Sequence, residues 1–189
     1  MKKICLLLSL CLLFNRLSAQ NEKFEVRGGW GYLSDSHAAE ILGNSVGTFI
    51  ISFFGKHDFR ITTRGAFSGD VLVALHNPKW QLTTTYATEK IEVTEYNNDA
   101  PSSFAHNVTA ILPGIHYNYV RDKGFSFYSG IAMGVKLLRY DGHTSTSTVA
   151  NVGYQFTALG FRFGNKLGGF LEGGFGSKGL IRGGIAYAF

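Results

Sequence analysis

The 189-residue chain predicts an all-β fold: an eight-stranded, antiparallel, up-and-down transmembrane β-barrel with a long first extracellular loop. Three observations carry that expectation. The composition holds 24 Gly, 16 Phe and 9 Tyr against only 3 Pro, the mixture of a small barrel rather than a soluble globule. The stretch 179–189 alternates with period two: Ile181, Gly183, Ile185, Tyr187 and Phe189 on one face, Leu180, Arg182, Gly184, Ala186 and Ala188 on the other. In water such a strand would present a sticky edge, whereas a lipid-facing strand uses an apolar band with an aromatic girdle and a lumen side that tolerates Arg. Third, similar alternating segments recur along the chain, and no apolar run reaches the ~20 residues of a spanning helix.

Residues 1–19 read as a cleaved secretory signal. Lys2 and Lys3 form a positive start, residues 4–14 an apolar stretch, and Leu17-Ser18-Ala19 a small-residue cleavage site before Gln20. Leu10 before Cys11 does not suit lipid attachment. Residues 20–189 then form one barrel domain. Both cysteines, Cys5 and Cys11, fall in the signal, so a disulfide scaffold or thiolate metal site is excluded from the exported part. The formal charge of +5 falls to +2 without Lys2, Lys3 and Arg16, which leaves no nucleic-acid footprint.

The first strand is predicted over 24–32, with Val26, Trp30 and Tyr32 outward and Glu25 and Arg27 inward. Residues 33–61 break the alternation. Asp35 or Ser36 is placed to cap a helix, and Leu42, Val46, Phe49 and Phe53 recur at spacings of three and four. This reads as a long loop with one amphipathic helix lying on the membrane or over the barrel mouth, although 48–54 is also β-prone. The apolar stripe is the candidate contact surface, since binding tends to live on loops.

Residues 64–76 form the second strand, with Phe67, Val71, Val73 and Leu75 outward and Asp70 inward, and Asn77-Pro78-Lys79 makes a tight turn. The third strand spans 80–94, its charged far half rising above the bilayer, and 96–103 is a polar loop. The fourth, 107–120, faces His116 and Asn118 inward. It contains Pro113, which a closed ladder does not admit without a β-bulge. A second tight turn at 121–124 precedes the fifth strand, 125–140, with Ile131, Met133, Val135 and Leu137 toward lipid and Tyr128 and Lys136 toward the lumen. A Ser/Thr-rich loop (141–148), a sixth strand (149–163), a tight turn (164–166), a seventh strand (167–176, Glu172 inward) and the eighth (179–189) complete the series. Tight turns on one side and longer loops on the other match periplasmic turns and extracellular loops, with the short Ser177-Lys178 connection the exception.

With these features the chain resembles the small outer-membrane β-barrels of Gram-negative bacteria, of the OmpA/OmpX-like "porin family" type. Tyr187-Ala188-Phe189 carries the resemblance most specifically, supported by the glycine-rich block 155–189, which is similar to the last hairpins of these barrels. The resemblance implies residence in the outer-membrane lipid and recognition of Tyr187 and Phe189 by the barrel-assembly machinery. Fold does not fix activity.

An eight-stranded barrel is just wide enough to be filled by side chains. Glu25, Arg27, Asp70, Lys136, Glu172 and Arg182 are therefore expected as a polar network plugging the lumen rather than lining a channel. Buried charges of this kind must be paired. No cofactor or metal is expected, because the six histidines show no ligand spacing and no glycine loop opens a helix. Two alternatives stand beside the structural or surface-interaction role. One is a lipid-A-modifying enzyme, for which His143 and Ser145 are the only close His/Ser pair at strand spacing. The other is a secreted lipocalin-like binding barrel with inverted faces.

Overall fold

The computed structural model describes residues 24–39, 58–96, 101–141 and 146–189. The signal segment 1–19, the loop residues Leu42, Val46, Phe49 and Phe53, and the pair His143 and Ser145 lie outside the described residues. Nine strands run through the described residues: β1 (Phe24–Tyr32), β2 (Asp58–Thr63), β3 (Ala66–Ala74), β4 (Trp80–Tyr96), β5 (Pro101–Asp122), β6 (Phe125–Asp141), β7 (Thr146–Phe163), β8 (Leu167–Gly176) and β9 (Ile181–Ala188). β1 pairs with β3 on one edge and with β9 on the other. The sheet continues through β8, β7, β6, β5 and β4 back to β3, so eight antiparallel strands close into a barrel.

β2 is the additional strand. The sequence pattern places 33–61 in one loop, but β2 and β3 lie end to end along the same edge of β4, opposite residues 91–96 and 81–88 respectively. Gly65, at φ 83°, separates them in a conformation that side-chain-bearing residues rarely adopt. Trp30 Nε1 donates to the Arg64 carbonyl at 2.5 Å and ties β1 to this break.

The hairpins at the loop end are taller than the pattern predicts. β4 and β5 stay paired up to Tyr96 and Pro101, and β6 and β7 up to Asp141 and Thr146, so residues 96, 101–103, 141 and 146–148 of the expected loops are strand. An antiparallel hairpin can carry water on its faces, and Thr and Tyr are good strand formers, so polarity alone did not end these strands. Pro101 occupies the first position of β5, where a missing N–H is tolerated.

The bulge expected at Pro113 is absent. Ile111↔Val135 and Gly114↔Ala132 keep one register across it, Pro113 is paired with Thr84 of β4, and only its ladder with β6 is interrupted. Gly134 lies beside the Pro113 ring, and a side chain there would crowd it, so a missing Cβ replaces the bulge. The bulges fall instead at Tyr119 in β5 and Ala158 in β7.

The first and last described residues meet at the tight-turn end. The Phe24 and Phe189 rings are 5.4 Å apart, and Phe189 N donates to Phe24 O at 2.9 Å. The turn before β4 is an Asx turn, with Lys79 N donating to Asn77 Oδ1 at 3.0 Å.

Candidate functional site

Alternation along β1, β3, β8 and β9 sends Glu25, Arg27, Asp70, Glu172 and Arg182 into the lumen, where all five are buried. They form one connected ionic cluster. Glu172 is its centre. Its Oε2 accepts from Arg182 Nη1 at 3.0 Å and from Lys178 Nζ at 3.1 Å, and its Oε1 accepts from the Tyr128 hydroxyl at 2.9 Å. Arg27 Nη1 donates to the Tyr128 oxygen at 2.5 Å and reaches Glu172 Oε1 at 3.4 Å. Asp70 accepts from Arg182 Nη1 at 2.6 Å and from Thr85 Oγ1 at 2.6 Å. Glu25 holds Arg27 Nε at 2.5 Å and Arg162 Nε at 2.9 Å.

Aromatic rings fill what the charges leave. The Arg182 guanidinium lies 4.6 Å from the Phe170 ring centre and that of Arg27 4.6 Å from Tyr128, while His116 stacks on Tyr128 at 5.1 Å. Gly160 lies directly under the Tyr128 ring, at a place where a Cβ would collide with it. Cation–ring contacts of this kind gain weight when desolvated.

Lys136 stands apart from the other five. It belongs to a second cluster nearer the loop end. Beyond β1, Leu33 adopts φ 61° and the chain turns inward through a short helical turn, residues 35–39. Lys136 Nζ donates to Asp35 Oδ2 at 2.7 Å and to Ser36 Oγ at 3.3 Å. Ser34, not Asp35 or Ser36, is the cap: its Oγ accepts from His37 N at 3.1 Å. The Ser34 hydroxyl also donates to Glu89, whose other oxygen accepts from Thr63 Oγ1 at 2.7 Å. The start of the first loop is thus seated inside the barrel rather than above it.

Three inward charged groups lie outside the network expected from the sequence. Arg162 faces inward because the Ala158 bulge reverses the parity of the end of β7: Ala158 and Leu159 both face outward, and Gly160 and Arg162 both face inward. Its guanidinium also donates to the carbonyls of Gly164, Asn165 and Lys166, locking that turn. Lys178 sits in the β8–β9 turn. That turn folds over the lumen, with Lys178 N donating to Gln155 Oε1 at 2.7 Å and the side chain 2 % exposed. Glu89, expected above the bilayer, is buried. For Arg162 a signal was present: the apolar positions Tyr154, Phe156 and Leu159 change spacing from two to three across the bulge.

The cluster thus sets Arg27, Arg162, Lys178 and Arg182 against Glu25, Asp70 and Glu172, with few atoms left unpartnered. At the tight-turn end a bay of about 520 Å3 is lined by Glu25, Ser126, Arg162, Arg121 and Lys123. Tyr187 and Phe189 lie on the outer face of the last strand's end, their rings 4.8 Å apart. No protein-family model and no curated protein matches this chain.

Proposed function

We propose that this chain is an integral outer-membrane β-barrel of the Gram-negative type, with a structural or surface-interaction role, no open channel and no reaction of its own. The sidedness of the wall carries this reading. Ile131, Met133, Leu167 and Ile185 are 60, 67, 68 and 68 % exposed, whereas Arg27, Asp70 and Arg182 are each 1 % exposed. In water an apolar surface of this extent is rare on a monomer, while in lipid it is what a spanning strand presents. A soluble lipocalin-like barrel would carry the opposite dressing.

Aromatic rings support the same reading. Toward the tight-turn end Trp80, Tyr117, Tyr119, Phe127 and Phe161 follow one another around the wall at centroid separations of 4.7 to 5.2 Å. Toward the loop end lie the pairs Trp30 with Tyr32 and Tyr154 with Phe175, at 6.2 and 6.0 Å. Such belts suit the two interfaces of a bilayer. The tight turns then face the periplasm, the tall hairpins face outside, and Tyr187 and Phe189 stand where the assembly machinery would read the closing strand.

Heat-modifiability tests the proposal. Residues 20–189 are refolded in detergent micelles, and the unboiled protein is expected to migrate faster than the boiled protein and to give a β-type circular dichroism spectrum. A protein that folds and stays soluble without detergent overturns the membrane reading in favour of the inverted, soluble barrel.

A further inference from the structure

Register turns the outer wall into rows, and three successive outward rows across β4 to β7 change character abruptly. Tyr86, Ile111, Val135 and Val152 form the first, wholly apolar. Thr88, Thr109, Leu137 and Ala150 form the second, mixed. Lys90, Asn107, Arg139 and Thr148 form the third, with two cations and no apolar residue. Successive rows lie two residues, roughly 7 Å, apart along the strands, so the apolar wall gives way to cations within four residues.

The third row reaches the β2–β3 break. There, a groove of about 400 Å3 is lined by Thr62, Arg64, Phe67, Thr88, Lys90 and Glu92. It brings together outward-facing Phe67, continuous with the lipid-facing wall, and the cations Arg64 and Lys90, while the carboxylate of Glu89, also in its lining, is turned inward and held by Ser34 and Thr63. Glu92 is already held there by Lys90 Nζ at 2.7 Å, both side chains being more than half exposed. The hydrogen bond from Lys90, with Arg64 adding its charge, keeps the Glu92 carboxyl below its ordinary range. An anion is therefore favoured between these two cations, directly above the apolar belt.

We infer that the groove at the β2–β3 break is a lipid-headgroup site, in which Arg64 and Lys90 bind phosphate of a phosphorylated membrane lipid whose chains lie against Phe67 and the wall below. The occupant is committed by position. A free anion has no use for Phe67, and a soluble protein partner would have to share the groove with the lipid that the apolar wall requires. Glu92 is the resident competitor, and phosphate binding frees it from Lys90. This inference rests on the outer-membrane reading.

The test uses the refolded chain in uncharged maltoside micelles, titrated with lipid A and followed by native mass spectrometry. Dephosphorylated lipid A and inorganic phosphate form the comparison arms. Retention of the phosphorylated lipid alone is expected. A cation near an anionic lipid surface is worth roughly fivefold in affinity, so R64Q/K90Q should bind about 25-fold more weakly. E92Q should bind more tightly than wild type. K79Q/K166Q, which removes the same charge at the tight-turn end, should bind as wild type does. Equal binding by R64Q/K90Q and wild type, equal losses in the two double variants, or unchanged binding by E92Q overturns the inference. Should R64Q/K90Q fail the heat-modifiability check, E92Q decides alone. Failure of the wild type in that check, before any lipid is added, overturns instead the membrane reading on which the inference rests.

Discussion

The barrel has a short wall and a tall wall. β8, β9, β1 and β3 run for 10, 8, 9 and 9 residues, close to the 9–11 a tilted strand needs to cross a bilayer. β4 to β7 run for 17, 22, 17 and 18 residues, nearly twice that. The short wall holds the charge: Glu25, Arg27, Asp70, Glu172 and Arg182 all project from it, and Lys178 from its turn. The upper inner face of the tall wall is instead apolar at Ile91, Val93 and Val108. Strands of this length have little area with which to grip their neighbours, and many of the side chains that fill the lumen between them are ionic. Where strands are long, the ladder itself supplies more of the pairing, and the inward charges, Glu89 and Lys136 among them, are fewer per strand residue. The short wall is therefore the part whose stability depends on the lumen, and the tall wall the part free to vary outward.

Removing the centre of the cluster is the strongest way to break this contrast. Glu172→Gln keeps the volume but leaves Arg182, Lys178 and Arg27 short of a carboxylate. Breaking a buried pair from one side costs about 3–5 kcal/mol, so the urea midpoint of the refolded barrel in micelles should fall steeply or the barrel should fail to close. Lys136→Met, in the cluster seated on the tall wall, should cost about 2 kcal/mol by the same assay. Equal losses for the two variants would show that the short wall holds no privileged share of the stability.

Arg162→Met sharpens the comparison at its seam, since Arg162 is the cation that the tall wall lends to the short one. Its loss frees one oxygen of Glu25 and three turn carbonyls, and about 3 kcal/mol is expected from the same unfolding curve. Tyr128→Phe, also reaching across from the tall wall, removes only the hydroxyl between Arg27 and Glu172 and should cost about 1–2 kcal/mol. A loss for Tyr128→Phe as large as that for Arg162→Met would mean that the neutral relay, not the ion pairs, organises the cluster.

The two walls also differ in how readily the sequence discloses them. On the short wall, alternation is unbroken, so the inward positions of Arg27, Asp70, Glu172 and Arg182 could be read by parity alone. On the tall wall, the Ala158 bulge hides Arg162, because one inserted residue reverses every later side chain and no residue type is reserved for it. Polarity hid the hairpin tips, since a charged or hydroxylated strand beyond the apolar band looks like a loop until its partner strand is known. Pro113 was read as demanding a bulge because its accommodation depends on Gly134, a residue 21 positions away that only the register brings beside it. Lys178 escaped because side-chain direction in a turn follows backbone conformation, here set by Gly176 and Gly179 at φ 137° and 102°, and not by any periodicity.

The mildest change should fall on the tip of the tall wall. Replacing residues 95–102 by Asn-Gly joins the paired positions Thr94 and Ser103 through a two-residue turn of the kind that suits antiparallel strands. The deletion also removes the last partners of β2, at Tyr96 and Glu95. None of the lumen ion pairs among the described residues is touched, because Glu89 and Lys136, the charged lumen groups nearest the loop end, lie below the cut. The lost cross-strand pairs are few and shorten a solvated ladder, and a shorter connection also lowers the closure entropy of the hairpin. A change under about 1 kcal/mol in the urea midpoint, with heat-modifiability intact, is therefore expected. A loss approaching that of Glu172→Gln would mean that the tall hairpin is a structural brace, and that stability runs from the loop end downward instead of from the ionic lumen outward.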